Sequence, residues 1–271
     1  MDKENAEEVS AQKNRPLELA GIKENYMNNY KLLIQYDGGR YRGWQRLGGG
    51  ENTIQEKIES VLSELTGRKT EINGSSRTDA GVHALAQIAN FKTELYFTEA
   101  EVKNYLINYL PHDICIKEVT SVPENFHARY NAKGKTYLYK IWNQEYPNPF
   151  MRKYSMHVKN KLDIDSMKKA AEYFIGEHDY TAFSNAKTNK KSMVREIYSV
   201  SIHENGGLID ITVSGNGFLY NMVRKIVGTL IAVGSGEATA DIIPQIIASK
   251  ERCQVRYIAD ACGLYLENVE Y

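Results

Sequence analysis

Apolar residues along this chain recur at period two and at helical spacing in one order, strand, helix, strand, strand, helix, strand, and that order plays twice. Leu32, Ile34 and Tyr36 alternate in a strand that the turn Asp37-Gly38-Gly39 closes. Thr53 and Glu56 form a capping-box pair, and Ile54, Ile58, Val61, Leu62 and Leu65 follow at helical spacing up to Gly67. A short strand near Thr70 to Ile72 and a longer one over Ala84 to Phe91 come next. Thr98 and Glu101 repeat the capping box, Val102, Tyr105, Leu106, Tyr109 and Leu110 supply an apolar face, and Pro111 ends the helix before a strand over Ile114 to Val119. The second round has a strand over Lys135 to Trp142, a helix over Asp163 to Ile175, and two strands, Val194 to His203 and Leu208 to Val213, around Asn205-Gly206-Gly207. Helices over Leu219 to Val233 and Asp241 to Ser249 and a strand over Leu264 to Val269 complete it.

This pattern predicts an α+β chain of two ferredoxin-like (β-α-β-β-α-β) halves with mostly antiparallel sheets, meeting edge to edge or facing each other across a central cleft that suits a large ligand. Residues 29–128 make the first half and 129–271 the second. Residues 1–28, polar and without apolar period, read as a mobile tail.

No run approaches the eighteen or so apolar residues of a membrane span, and MDKENAEEVS lacks a signal-peptide core, so a cytoplasmic protein without membrane attachment is expected. Cys115, Cys253 and Cys262 are odd in number and lack C-x-x-C spacing, which argues against a disulfide framework or a thiolate zinc site and for small buried or half-buried apolar roles. Net charge is zero, from 34 basic and 34 acidic residues, so binding to a polyanion must come from local clusters. Three present themselves: Arg40, Arg42 and Arg46; Arg129, Lys133, Lys135 and Lys140; Lys187, Lys190, Lys191 and Arg195.

The segment SSRTDAGVHA, Ser75 to Ala84, sets Arg77, Thr78 and Asp79 in a turn between two strands. An aspartate there is ordinarily a solvated turn former. It stands, however, in an ordered series: YDGGRYRGWQR at Tyr36 to Arg46 before it, then FHAR at Phe126 to Arg129, KTYLYKI at Lys135 to Ile141, HDYTAF at His178 to Phe183, VREI at Val194 to Ile197, GNGFLYNMVRKIVGTL at Gly215 to Leu230 and GLYL at Gly263 to Leu266. The series, from about residue 30 to the C-terminus, resembles the tRNA pseudouridine synthase A family.

That resemblance implies an isomerase converting uridine to pseudouridine in the anticodon stem-loop of tRNA, at tRNA positions 38 to 40, with no metal or organic cofactor, working as a homodimer. It implies that Asp79 is the catalytic carboxylate and that Arg224 pairs with it, lowering its pKa and keeping it ionised. Tyr137 is implied to stack on the target base from an open sheet face, and Arg77 to contact phosphate or the flipped nucleotide. On a helical wheel Arg224 borders the apolar stripe while Lys225 points farther from it. The six histidines show no ligand spacing and read as core or surface residues.

Three departures from the family pattern stand out. Ser76 replaces the usual Gly before Arg77 and needs an ordinary backbone angle; Gly134, Lys135 and Thr136 occupy positions where arginines are common; and RCQVRYIADACGLYL differs from the usual C-terminal pattern without touching Asp79, Arg224 or Tyr137. The alternative function is a catalytically silent RNA-binding or tRNA-folding paralogue on the same fold. An RNA-modifying enzyme with a metal or nucleotide cofactor is a weaker rival, because the chain carries neither zinc-ligand spacing nor a Walker or Rossmann glycine pattern.

Overall fold

Strand β1 (Asn28–Tyr36) is the spine of the N-terminal part, with Leu32, Ile34 and Tyr36 buried as the alternation requires. The computed structural model describes residues 27–50, 52–186 and 192–271. β1 pairs antiparallel with both β3 (His83–Thr93) and β4 (Ile114–Val122), and the short β2 (Ile72–Gly74) pairs with β3. Helix α1 (Ile54–Thr66) is capped by Thr53, whose side chain accepts from the Glu56 amide, and Gly67 ends it in the left-handed region at φ 68°. Helix α2 (Glu99–Tyr109) carries the full reciprocal capping box of Thr98 and Glu101. Ile54, Ile58, Leu62, Val102 and Leu106 are fully buried between these helices and the strands.

The C-terminal part comprises β5 (Gly134–Trp142), a two-residue β6 (Met156–His157), α3 (Ile164–Glu172), β7 (Gly176–Asp179), β8 (Val194–Asn205), β9 (Leu208–Gly215), α4 (Met222–Gly234), α5 (Ile242–Ser249) and β10 (Leu264–Glu270). The short strands β6 and β7 escape the periodicity, being too brief to show an alternation. Among the described residues ten strands form one mixed but mostly antiparallel sheet in the order β4-β1-β3-β10-β5-β9-β8-β7, with β2 on β3 and β6 on β5. The two parts thus meet edge to edge. Their seam is a short parallel pairing of β10 with β3, Tyr265 opposite His83 and Leu266 opposite Ala84.

Residues 1–26 of the expected tail lie outside the described residues, and β1 begins at Asn28, inside that stretch. Asn29 is buried: its Nδ2 donates to the Pro123 carbonyl at 3.0 Å and the Phe126 carbonyl at 2.9 Å, and its Oδ1 accepts from Asn90 at 2.9 Å. Satisfied amides can be buried even at the edge of a polar stretch. α4 is buried almost all round, so the helical wheel misplaces Lys225: it is only 5% exposed, with Nζ donating to the Ala182 carbonyl at 3.1 Å. Cys115 and Cys253 are exposed, contrary to the buried or half-buried role expected, and Cys262 is half-buried. Among the described residues no helix is long and apolar enough to cross a membrane.

Candidate active site

The loop between β2 and β3 is held on every side. Gln87, fully buried on β3, accepts from Ser75 Oγ at 2.7 Å and from the Ser76 amide at 3.2 Å, and donates to the Ser76 carbonyl at 2.8 Å. The Tyr36 hydroxyl bonds Thr78 Oγ1 at 2.7 Å, and the Trp44 amide donates to the Thr78 carbonyl at 3.0 Å. Gly43 makes that approach feasible: it sits at φ 92°, and a Cβ on it would lie 2.5 Å from the Thr78 oxygen. From β5, Lys135 Nζ donates to the Ser75 carbonyl at 2.6 Å. The segment Tyr36 to Arg46 is therefore a clamp on the loop that carries Asp79. His83 belongs to the same clamp. Its buried ring accepts from the Gly38 amide at 3.1 Å through Nδ1 and bonds the Lys153 carbonyl at 3.1 Å through Nε2, and burial pushes its pKa down.

Asp79 Oδ2 lies 3.6 Å from Arg224 Nη1, with the two side chains 23% and 18% exposed. Arg224 projects from the first turn of α4. Its Nε donates to the Ala259 carbonyl at 2.7 Å and its Nη1 to Asn221 Oδ1 at 3.4 Å. Asn221, at the N-cap, takes a left-handed φ of 62°, a conformation that asparagine tolerates better than most side chains. The Asp79 pKa is raised, against the expected lowering, because desolvation outweighs the opposing pull of Arg224. The divergent C-terminal segment also touches the site after all. Besides accepting from the Arg224 side chain, Ala259 donates its amide to the Arg224 carbonyl at 3.0 Å, and Gly228 of α4 abuts the Tyr257 backbone so closely that a Cβ would lie 2.8 Å from it.

Asp79, Asn221 and Arg224 line one cavity of ≈ 600 Å³ at the junction of β5, the Asp79 loop and α4. Tyr137 forms part of its wall but is not on an open face. The ring is 7% exposed and packs edge-on against Phe218, centroids 5.1 Å apart at 85°. β5 lies inside the sheet, between β10 and β9, and burial pushes the Tyr137 hydroxyl up to about 12. Arg77 lines the cavity and is exposed; burial lowers the pKa of Arg129, and nearby Arg77 adds to that shift.

Among the described residues the cavity lining contains five cations, Arg42, Arg77, Arg129, Lys135 and Arg224, against the single carboxylate of Asp79. A chain of zero net charge therefore concentrates positive charge where a polyanion could enter. Burial lowers the Lys135 pKa to about 8, with Arg129 and Arg195 adding to the shift. The other members of the sequence clusters divide differently. Arg40 pairs with Asp113, Arg46 with Glu59 and Glu71, and Lys140 with Asp210, whereas Lys187, Lys190 and Lys191 lie outside the described residues. Sequence reasoning gave no role to Gln87, Phe218, Asn221 or Ala259. Asn221 and Phe218 stand inside the motif around Arg224 and were findable from it, whereas Gln87 and Ala259 act through contacts that no spacing encodes. Among the described residues no group of three or more His, Cys, Asp or Glu is arranged to hold a metal ion.

A lone carboxylate held against an arginine in a cationic cavity suits an enzyme whose substrate is an anionic polymer. A family model described as tRNA pseudouridine synthase matches residues 32–131 and 170–271, and the chain belongs to that family. It is 64% identical over 245 residues to tRNA pseudouridine synthase A 2 of Bacillus anthracis and 65% identical over 245 residues to tRNA pseudouridine synthase A of Bacillus sp. (strain KSM-64), in each case over 90% of this chain and 100% of the relative. The tRNA pseudouridine synthase A of Acetivibrio thermocellus is 47% identical over the same shares. Among solved structures, one titled as a Cbf5-Nop10-Gar1 complex overlaps 74% of this chain and 54% of its own at 12% identity and a TM-score of 0.30, too loose a likeness to define the fold.

Proposed function

We propose that Asp79 is the catalytic carboxylate with which this protein isomerises uridine to pseudouridine in the anticodon stem-loop of tRNA, at positions 38 to 40, without a cofactor. As a member of its family the protein is an isomerase acting on tRNA. The observation that carries the residue assignment is that Asp79 is, among the described residues, the one acid lining a cavity with five cations, 3.6 Å from Arg224.

In the reaction the C1′–N1 bond of uridine breaks, uracil turns, and a C1′–C5 bond forms, with the proton of C5 lost and one gained at N1. An ionised oxygen close to the nucleoside serves as nucleophile or as base, and Asp79 is the group placed to supply it. Arg224, tied to Ala259, holds that carboxylate in orientation. Tyr137 and Phe218 offer an aromatic wall for the extruded base. On this reading Arg77, Arg129 and Lys135, which line the same cavity, meet the phosphates that accompany it.

On this reading residues 29–128 and 129–271 are two ferredoxin-like halves, which the local strand orders β4-β1-β3-β2 and β10-β5-β9-β8 support, and the cavity lies in an RNA-binding cleft between them. The working form is a cytoplasmic homodimer. Protein dialysed exhaustively against chelator and given unmodified tRNA should form pseudouridine at positions 38 to 40. Activity that returns only on adding a metal would sink the cofactor-free reading. Tight tRNA binding with no pseudouridine formed on any tRNA would select the silent paralogue.

A further inference from the structure

Ser76 Oγ is buried and has no hydrogen-bond partner; among the described residues only Arg252 Nε shares that state, and Arg252 does not line the cavity. Ser76 is 4% exposed, lines the cavity, and stands three residues before Asp79. Its backbone is fixed on both sides by Gln87, which accepts from the amide and donates to the carbonyl, so the Cβ that carries the hydroxyl is held at the cavity wall. The hydroxyl lies beside that of Tyr137 but outside hydrogen-bond geometry. Burying a hydroxyl unpaired costs stability, and glycine or alanine at this place would avoid that cost. The motif this segment resembles carries glycine here. Unpaired buried polar atoms at a cavity wall are the ones that a ligand is placed to satisfy.

We propose that the Ser76 hydroxyl reads the polar edge of the extruded uracil, making it a specificity-determining residue for the target base. The inference rests on the assignment of this cavity to the target nucleoside. A hydroxyl donates, which matches the two carbonyl oxygens on the uracil edge, and one of them is the contacted atom. The base is the partner, rather than the ribose, because Ser76 stands beside the Tyr137 hydroxyl, at the end of the aromatic wall against which a base would pack, while the exposed cation Arg77 lies at the solvent side of the same cavity.

The test uses the full chain with Ser76→Ala and Ser76→Gly, in single-turnover reactions on anticodon stem-loops carrying uridine, 2-thiouridine, 4-thiouridine or 2′-deoxyuridine at the target position. Ser76→Ala should melt no lower than wild type and bind the stem-loop equally well, yet convert uridine about three- to tenfold more slowly, the worth of one hydrogen bond. With one of the two thio-substituted bases the difference between wild type and variant should shrink toward onefold, because the contacted oxygen is then missing from both reactions. Ser76→Gly separates loss of the hydroxyl from loss of the Cβ and should match Ser76→Ala in rate. Equal rates for wild type and Ser76→Ala on uridine would overturn the proposal. So would a deficit that persists with both thio-substituted bases, one that disappears only with 2′-deoxyuridine, or a lowered melting temperature that accompanies it. Wild-type protein inactive on every stem-loop would overturn the functional reading and this inference together, whereas an active wild type that Ser76→Ala matches overturns this inference alone.

Discussion

Arg224 Nη1 stands 3.6 Å from Asp79 Oδ2, and the same guanidinium is tied at its Nε to the Ala259 carbonyl, 2.7 Å away. Arg224 thus spans between the loop of the N-terminal part and the C-terminal segment 255–259. Two forces act on the carboxylate: burial raises its pKa and the guanidinium lowers it, and burial is the stronger. In linkage terms the folded state holds the Asp79 proton more tightly than the unfolded chain. That contribution to stability is complete below the ordinary carboxylate pKa and is lost as pH rises through the folded value. At neutral pH the ionised Asp79 is therefore a stability cost accepted at a reactive position.

The acid limb of the single-turnover rate should accordingly lie above the ordinary aspartate value of 3.8. Arg224→Gln removes the lowering influence, so the limb should move to higher pH while the plateau rate falls. A pH–rate profile whose acid limb is the same for wild type and Arg224→Gln would show that Asp79 does not set it.

Asp79→Asn keeps the side-chain volume and the turn but deletes the anionic oxygen. The fold should survive, since the loop is held by Gln87, Tyr36 and Trp44 rather than by the carboxylate. Near-wild-type tRNA binding with pseudouridine formation at background is expected in single-turnover assays. Substantial turnover by verified Asp79→Asn protein would remove Asp79 from the catalytic role.

Gly43→Ala places a methyl 2.5 Å from the Thr78 oxygen at a φ of 92°. The two strains together should cost about 1–3 kcal/mol of stability and displace the loop next to Asp79. Chemical denaturation should show the loss, and activity at a temperature where the variant is fully folded should fall with it. Full activity in the folded variant would mean that the clamp does not position Asp79.

Lys135 should lose its charge as pH passes about 8. If Lys135 meets a phosphate, tRNA affinity measured from pH 7 to 9 should weaken about three- to tenfold, and Lys135→Arg should flatten that dependence. The stability sign is opposite. Burying the protonated lysine is costly below about 8, and that cost is relieved as pH rises toward the ordinary value of 10.5. A wild-type affinity that is level across this range would take Lys135 out of the phosphate contacts.

Tyr137→Phe should keep the aromatic wall and most of the rate, whereas Tyr137→Ala removes a stacking surface worth about 1–3 kcal/mol. Because Tyr137 is buried against Phe218, the alanine variant also opens a cavity and should lose about 3–5 kcal/mol of stability. Rates are therefore compared at temperatures where both variants are folded. Equal rates for Tyr137→Ala and wild type would exclude the stacking role.

Apart from the short strands β6 and β7, the sequence alone determined the elements and their order, because periods of two and 3.6 and the caps at Thr53, Thr98 and Gly67 are local properties of the chain. Its ordered motifs also named Asp79, Arg224, Tyr137 and Arg77. Tertiary structure alone decided that the strands form one continuous sheet, since the β3–β10 seam joins residues more than 170 positions apart through two backbone pairings that leave no pattern in either segment. It decided that Asn29 and Lys225 are inside, because hydrogen bonds to Phe126 and Ala182 make burial of those polar groups tolerable where hydropathy argues against it. It also decided the direction of the Asp79 pKa. A motif identifies the arginine that pulls the pKa down, but the burial that pushes it up is a sum over every chain segment around the cavity, and no local stretch of sequence contains that sum.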